Sequence, residues 1–276
     1  MKKKTYRSSS GSVCYWISEA IETDRPWMVF LPGLTADHTL FDPQIEHFEN
    51  RANCFVWDAP AHGASRPYPL DFSLDDMARI LDEIFTDEDI RQPLMVGQSM
   101  GGYLAQVYEE LYPGRCRGFA LVDSAPLKRR YFTAAEILML EHTKPLYLAI
   151  PWKLLLVWGP HGVAATEKGQ ANMLTMMEDY GKREYCELTA HGYALVAEAV
   201  KADRPYDMGQ PTILICGEHD NAGSCRRYNR EWHRQEGYPL YWIEGAGHNS
   251  TIDQPDRVNE ILEAFLMVLE DVRDCA

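Results

Sequence analysis

The sequence predicts an α/β fold: a mostly parallel sheet of roughly eight strands, helices on both faces, and an inserted helical cap. Short apolar runs that end in Gly, Pro or Asp alternate with segments of helical periodicity, the signature of a parallel sheet covered on both sides. One long stretch, 128–204, abandons that rhythm and reads as helical throughout. A chain of 276 residues suits one large α/β domain, or such a core carrying an inserted subdomain.

The first two runs, 5–7 and 13–17, flank Ser10 and Gly11 and suit an antiparallel hairpin at the sheet edge. The remaining strands are expected at Trp27–Leu31, 54–57, 94–96, Gly118–Val122, 212–216 and Leu240–Ile243. Ser73 is placed to cap a helix through Phe85, in which Leu74, Met77, Ile80, Leu81 and Ile84 recur at helical spacing. Further helices are expected from the residue after Ser99 to about Tyr112, and over 254–269. The core domain is therefore 1–127 with 205–276, and 128–204 is the cap.

Composition narrows the function classes. A formal net charge of −14 argues against a nucleic-acid partner, because phosphate binding depends on Lys and Arg releasing counterions. Met1 to Ser12 has three lysines but lacks the apolar stretch of about 7 or more residues that a secretory signal needs. The most apolar stretch, 146–158, is interrupted by Pro151 and Lys153 and falls short of the roughly 20 apolar residues of a membrane span. Seven Cys without a Cys-x-x-Cys pair read as reduced thiols, so the expected location is cytoplasmic. Cys216, His219, Cys225 and His233 match no compact ligand spacing, and no metal site is expected. No phosphate-cradling glycine loop follows a strand.

Chemistry concentrates at Gly97-Gln98-Ser99-Met100-Gly101, which fits Gly-x-Ser-x-Gly directly after a strand and before a helix. A sharp turn there holds the serine in a strained conformation, and the flanking glycines leave room for the strand and helix to approach. Its place at a helix N-terminus also aims N–H groups and the positive dipole end at a developing oxyanion. Ser99 is thus the candidate nucleophile.

His248 is the candidate base, because 245–249 follows the last strand run and precedes the C-terminal helix, late in the chain as the order Ser, acid, His requires. His62 is its rival, with a position suited to lining the pocket entrance or holding its loop. Asp220, immediately after the run 212–216, is the preferred acid that would orient the imidazole. Asp123, at the end of the preceding run, is the alternative acid, and otherwise a carboxylate anchoring the cap hinge.

Taken with Leu31-Pro32-Gly33-Leu34 after a strand and the loop from Asp58 through His62 and Gly63 to Ser65, these motifs resemble the α/β-hydrolase superfamily. The likeness spans nearly the whole chain apart from the cap. Pro32 stands where that superfamily usually has His, and Ala61-His62 replaces part of its Asp-x-x-Gly-x-Gly-x-Ser loop. The resemblance implies an oxyanion hole made by the N–H groups of Leu34 and Met100; losing one such donor costs about 3 to 4 kcal/mol of transition-state stabilisation.

The cap is rich in aromatics and Met, including Tyr131, Phe132, Tyr147 and Met173, and much of this set is needed to pack it onto the core. Trp152 and Trp158 are candidates for lining a pocket over Ser99. The apolar cap residues would equally suit a homodimer surface. Lys128, Arg129 and Arg130 read as a solvated basic turn rather than a carboxylate site.

The expected reaction is hydrolysis of an ester, thioester or related acyl bond of a small, partly apolar molecule, through an acyl-enzyme and without a cofactor. The same triad on this fold also admits carbon–carbon bond hydrolysis, cofactor-free peroxidation and lyase chemistry. Serine at the turn argues against the epoxide hydrolase and haloalkane dehalogenase branches, which place Asp there. A different class of answer is a ligand-binding protein that keeps the fold without turnover.

Overall fold

Continuous apolar runs become the buried strands of a sheet, because only a strand covered on both faces can place every side chain in the interior. In a computed structural model, which describes residues 1–274, β1 (Lys2–Arg7) and β2 (Ser12–Ile17) form the expected antiparallel hairpin, with Lys2 opposite Ile17. There follow β3 (Trp27–Leu31), α1 (Asp42–Phe48), β4 (Asn53–Trp57), α2 (Leu74–Asp87), β5 (Leu94–Gln98), α3 (Met100–Leu111) and β6 (Gly118–Val122). Next come α4 (Ala134–Glu141), α5 (Thr143–Ala149), α6 (Trp152–Val163), α7 (Glu167–Tyr180) and α8 (Lys182–Ala202). The chain closes with β7 (Thr212–Gly217), α9 (Cys225–Glu236), β8 (Leu240–Ile243), α10 (Ser250–Asp253) and α11 (Pro255–Asp274).

The sheet has eight strands in the order β1-β2-β4-β3-β5-β6-β7-β8. β2 meets β4 antiparallel, and every pair from β4 to β8 is parallel. Alternate residues of one strand go to opposite faces. Val29 and Leu31 join one core with the inner faces of α2, α3 and α9, whereas Met28 and Phe30 join a second with α1 and α11.

Local signals account for the helix ends. Ser73 Oγ accepts from the Asp76 N–H at 3.1 Å while the Asp76 carboxylate accepts from the Ser73 N–H, a capping box worth about 1 kcal/mol. The C-terminal helix expected over 254–269 is α11, preceded by the short α10, from which Gln254 separates it. Pro255 has no N–H to continue α10 and its fixed φ suits the first position of α11.

Between β6 and β7 the chain is helical, with α8 packed along α4 and α5. The basic turn before it is solvated at Arg130 but not at Lys128. Lys128 is buried, and its Nζ donates to Asp207 at 2.6 Å and Glu236 at 2.9 Å, while Arg130 also reaches Glu236. Asp207 and Glu236 thus pair with Lys128 and Arg130, while the Arg129 guanidinium donates to the Phe132 carbonyl. Leu138, Met139, Leu146 and Trp158 stand exposed on α4 to α6. No helix among the described residues is long and apolar enough to cross a membrane.

Candidate active site

The turn between β5 and α3 is shaped by what its glycines lack. A Cβ on Gly97 would lie 2.5 Å from the Gly101 carbonyl, and one on Gly101 would lie 1.9 Å from the Leu31 carbonyl. Strand, turn and helix therefore approach more closely than any side chain permits. Ser99 sits at the apex with φ 49°, in the left-handed region that a non-glycine residue enters at a cost of about 1–3 kcal/mol. Its backbone is pinned on both sides: Ser99 N–H donates to the Val122 carbonyl at 2.9 Å, and Ser124 Oγ donates to the Ser99 carbonyl at 2.8 Å.

Ser99 Oγ lies 2.8 Å from His248 Nε2, and His248 Nδ1 lies 2.9 Å from Asp220 Oδ2. With Nδ1–H donating to the carboxylate, Nε2 is left as an acceptor for the serine proton. Asp220 is fully buried, and Ser99 and His248 keep partial exposure. Burial disfavours the charged form of His248, but the charge and hydrogen bond of Asp220 outweigh it, so the pKa of the imidazole is raised. Burial would also lift the carboxyl of Asp220. His248, a hydrogen bond from Cys225 and the Ala222 N–H at 2.9 Å reverse this and hold it below its ordinary value.

Asp123 is equally buried but turned elsewhere. Its Oδ1 accepts from Gly217 N–H and Ser250 Oγ, each at 2.8 Å, and its Oδ2 accepts from Ser250 N–H at 3.0 Å. Burial, reinforced by the charge of Asp220, pushes its pKa up to about 7. It braces the start of α10 against the end of β7, where the sequence offered it as an alternative acid.

The loop after β3 runs beside the serine, since a Cβ on Gly33 would stand 3.1 Å from Ser99 Cβ. Among the described residues no protein acceptor takes the N–H of Leu34 or Met100. Helix α8 crosses above them, and a Cβ on Gly192 would meet the ends of both side chains at 2.4 and 2.6 Å.

Trp158 is corrected as a lining residue, and His62 takes the second of its two expected roles. His62 is 2% exposed, with Nδ1–H donating to the Pro60 carbonyl at 2.9 Å and burial lowering its pKa, so it holds its own loop instead of opening onto a pocket. Trp158 is 56% exposed on the outside of α6. Trp152 is half-buried and packs on Tyr185 with centroids 5.6 Å apart. A groove of about 580 Å³ lies elsewhere, between the 37–39 loop and α7, lined by Asp37, Thr39, Asn172, Thr175 and Met176.

Sequence reasoning missed the roles of four residues. Asp58 is fully buried and accepts from His38 N–H at 2.7 Å and Ala64 N–H at 2.6 Å, closing the 58–65 loop. Gln98 Nε2 donates to the His248 carbonyl at 2.7 Å. Cys216 and Cys225 come together with Asp220, their ligand atoms all within 4.8 Å of one another, although the sequence had grouped those thiols with His219 and His233. The hydrogen bond with Cys216 and burial keep Cys225 protonated, as a donor beside the carboxylate. The roles of Gln98, Cys216 and Cys225 follow no local pattern, because each involves a partner distant in sequence, and Asp58, although it opens a quoted motif, also depends on His38 twenty residues before it.

Comparison with known proteins agrees with this architecture. The sequence model of the Alpha/beta hydrolase family matches residues 28–261. A 2-succinyl-6-hydroxy-2,4-cyclohexadiene-1-carboxylate synthase of Salmonella arizonae is 23% identical over 89% of this chain and 95% of its own. A 3-oxoadipate enol-lactonase of Acinetobacter baylyi is also 23% identical, over 89% of this chain and 90% of its own. A thermophilic esterase from Thermogutta terrifontis superposes with a TM-score of 0.75 at 18% identity, covering 98% of this chain and 99% of the esterase.

Proposed function

The chain belongs to the alpha/beta hydrolase family, and from that premise we propose that it cleaves an ester, thioester or related acyl bond of a small, partly apolar substrate with Ser99 as nucleophile, His248 as base and Asp220 as acid. One observation carries the reading: a single imidazole bridges the Ser99 hydroxyl at 2.8 Å and the buried Asp220 carboxylate at 2.9 Å. In this scheme His248 Nε2 takes the Ser99 proton as Oγ attacks the acyl carbon. The imidazolium formed is stabilised by Asp220, and the same proton then passes to the leaving group. Water, deprotonated by His248, releases the acid from the acyl-enzyme.

The N–H groups of Leu34 and Met100 are the donors we assign to the oxyanion, since they flank Ser99 and have no protein acceptor among the described residues. The relative named as an enol-lactonase is consistent with ester-type chemistry. The relative named as a synthase supports a second reading, in which the same serine and imidazole serve a lyase-type reaction without an acyl-enzyme.

The test is intact-mass measurement after exposure to a fluorophosphonate, followed by a panel of activated esters. Stoichiometric labelling lost in both Ser99→Ala and His248→Ala, with burst kinetics on esters, supports acyl hydrolysis. Labelling without ester turnover favours the second reading. A folded wild-type protein that neither labels nor turns over an ester defeats the proposal.

A further inference from the structure

The loop carrying His248 is held by its backbone, and part of what holds it is the helical insertion. Gly247 N–H donates to Asp253 Oδ2 at 2.8 Å, the His248 carbonyl accepts from Gln98, Asn249 N–H donates to the Val163 carbonyl at 2.9 Å, and Ser250 N–H donates to Asp123. Val163 ends α6, so one of these anchors already lies on the insertion.

Asp253 supplies a second link. Besides Gly247 N–H, its Oδ2 accepts from Ala165 N–H at 2.8 Å, and its Oδ1 accepts from Thr166 N–H at 3.0 Å and Thr166 Oγ1 at 2.6 Å. The side chain is 6% exposed and lies against Gly169, where a Cβ would stand 2.4 Å from Oδ1. The 163–165 backbone rests directly on the base loop, since a Cβ on Gly247 would fall 2.9 Å from the Val163 carbonyl. Only a carboxylate offers two oxygens that accept in all these directions and carry no hydrogen.

We propose that Asp253 is a positioning residue that ties the orientation of His248 to the seating of the insertion on the core. The proposal rests on the reading of Ser99 and His248 as nucleophile and base. The turn joining α6 to α7 cannot leave the core without releasing Asp253, and Asp253 cannot release it without loosening the N–H of the residue before His248. A base aligned with Ser99 therefore requires a seated insertion, which makes the substrate-enclosing arrangement and the reactive one the same arrangement.

Asp253→Asn keeps the shape and turns one acceptor into a donor. Thr166→Val removes the Oγ1 hydrogen bond, one of the three that the insertion gives Asp253, together with the Oγ1 cap on the Gly169 N–H, and Thr166→Ser preserves both. The rate of fluorophosphonate labelling, kcat and KM on an activated ester, and the thermal midpoint are measured for each full-length protein. Asp253→Asn is expected to lower labelling rate and kcat roughly tenfold to a hundredfold while KM moves less than about threefold, the pattern of a misplaced base. Thr166→Val lowers kcat in the same direction and Thr166→Ser restores it. Folded variants that lose thermal midpoint but keep wild-type kcat and labelling rate overturn the proposal, and Thr166→Val decides it alone should Asp253→Asn fail to fold. A wild type that neither labels nor turns over overturns the underlying reading as well, and is told apart by needing no variant.

Discussion

The side-chain amide of Gln98 grips the main-chain carbonyl of His248 at 2.7 Å across 150 residues of sequence. The residue before the candidate nucleophile thus holds the residue that carries the candidate base. Its Oε1 lies against Gly33 on the other side, so one buried glutamine touches the strand turn, the base loop and the loop beside Ser99. The 2.8 Å separation of Ser99 Oγ and His248 Nε2 is set by this backbone scaffold as much as by the rotamers of the two side chains.

Exchanging each buried carboxylate for its amide separates their roles. Asp220→Asn is expected to lower kcat by about four orders of magnitude, because the amide favours the wrong imidazole tautomer. Asp123→Asn should leave most of the turnover of the folded protein, since no hydrogen bond joins it to His248 among the described residues. Steady-state kinetics on an activated ester checks both, and the reverse ranking would make Asp123 the acid.

The pH profile follows from the raised pKa of His248, in which Asp220 outweighs burial. The neutral imidazole is the base, so kcat/KM should climb with pH through a midpoint above the ordinary histidine value of about 6.5. In Asp220→Asn the raising partner is gone and the residual limb should move to lower pH. A wild-type limb at or below that ordinary value would contradict the assignment.

Gly101→Ala should cost about 3 kcal/mol of stability or more, because the new methyl has no rotamer with which to avoid the Leu31 carbonyl only 1.9 Å away. Urea unfolding reads this directly. A wild-type midpoint would show that α3 is freer to shift than its packing indicates.

Ser65→Ala tests the loop braced by Asp58. Ser65 Oγ donates to the Asp58 carbonyl at 2.6 Å and accepts from the Cys14 N–H at 2.7 Å, both out of water. Stranding those groups should cost about 1–3 kcal/mol by chemical denaturation. Fluorophosphonate labelling of the folded variant should be unchanged.

Legibility from sequence divided along a physical line. Trp27–Leu31 and Gly118–Val122 were readable residue for residue because apolarity begins and ends with the strand. β5 continues past the apolar run into Gly97 and Gln98, since ladder hydrogen bonds do not require apolar side chains. Ser99, His248 and Asp220 were legible as types in the right order after the right strands, and the structure brings those three together. What stayed hidden were roles conferred by partners far along the chain. Nothing around Asp253 announces that Thr166 awaits it, and nothing around Cys225 announces Asp220. Trp158 was misjudged, and His62 took the loop-holding of its two expected roles, because lining a pocket is a matter of direction, which composition does not encode.

The helical insertion occupies the crossover between β6 and β7, neighbours whose parallel pairing sets Val122 opposite Ile215. A parallel pair needs a long connection in any case, and each doubling of such a connection adds only about 0.6 kcal/mol of closure cost. The length of the insertion is therefore inexpensive to vary as far as the register of the sheet is concerned. The constraint on that freedom is local. A replacement that keeps the contacts of Asp253 would present a turn with the donors now offered by Ala165 and Thr166, which makes one short junction, and not the bulk of the helices, the point at which the insertion is fastened.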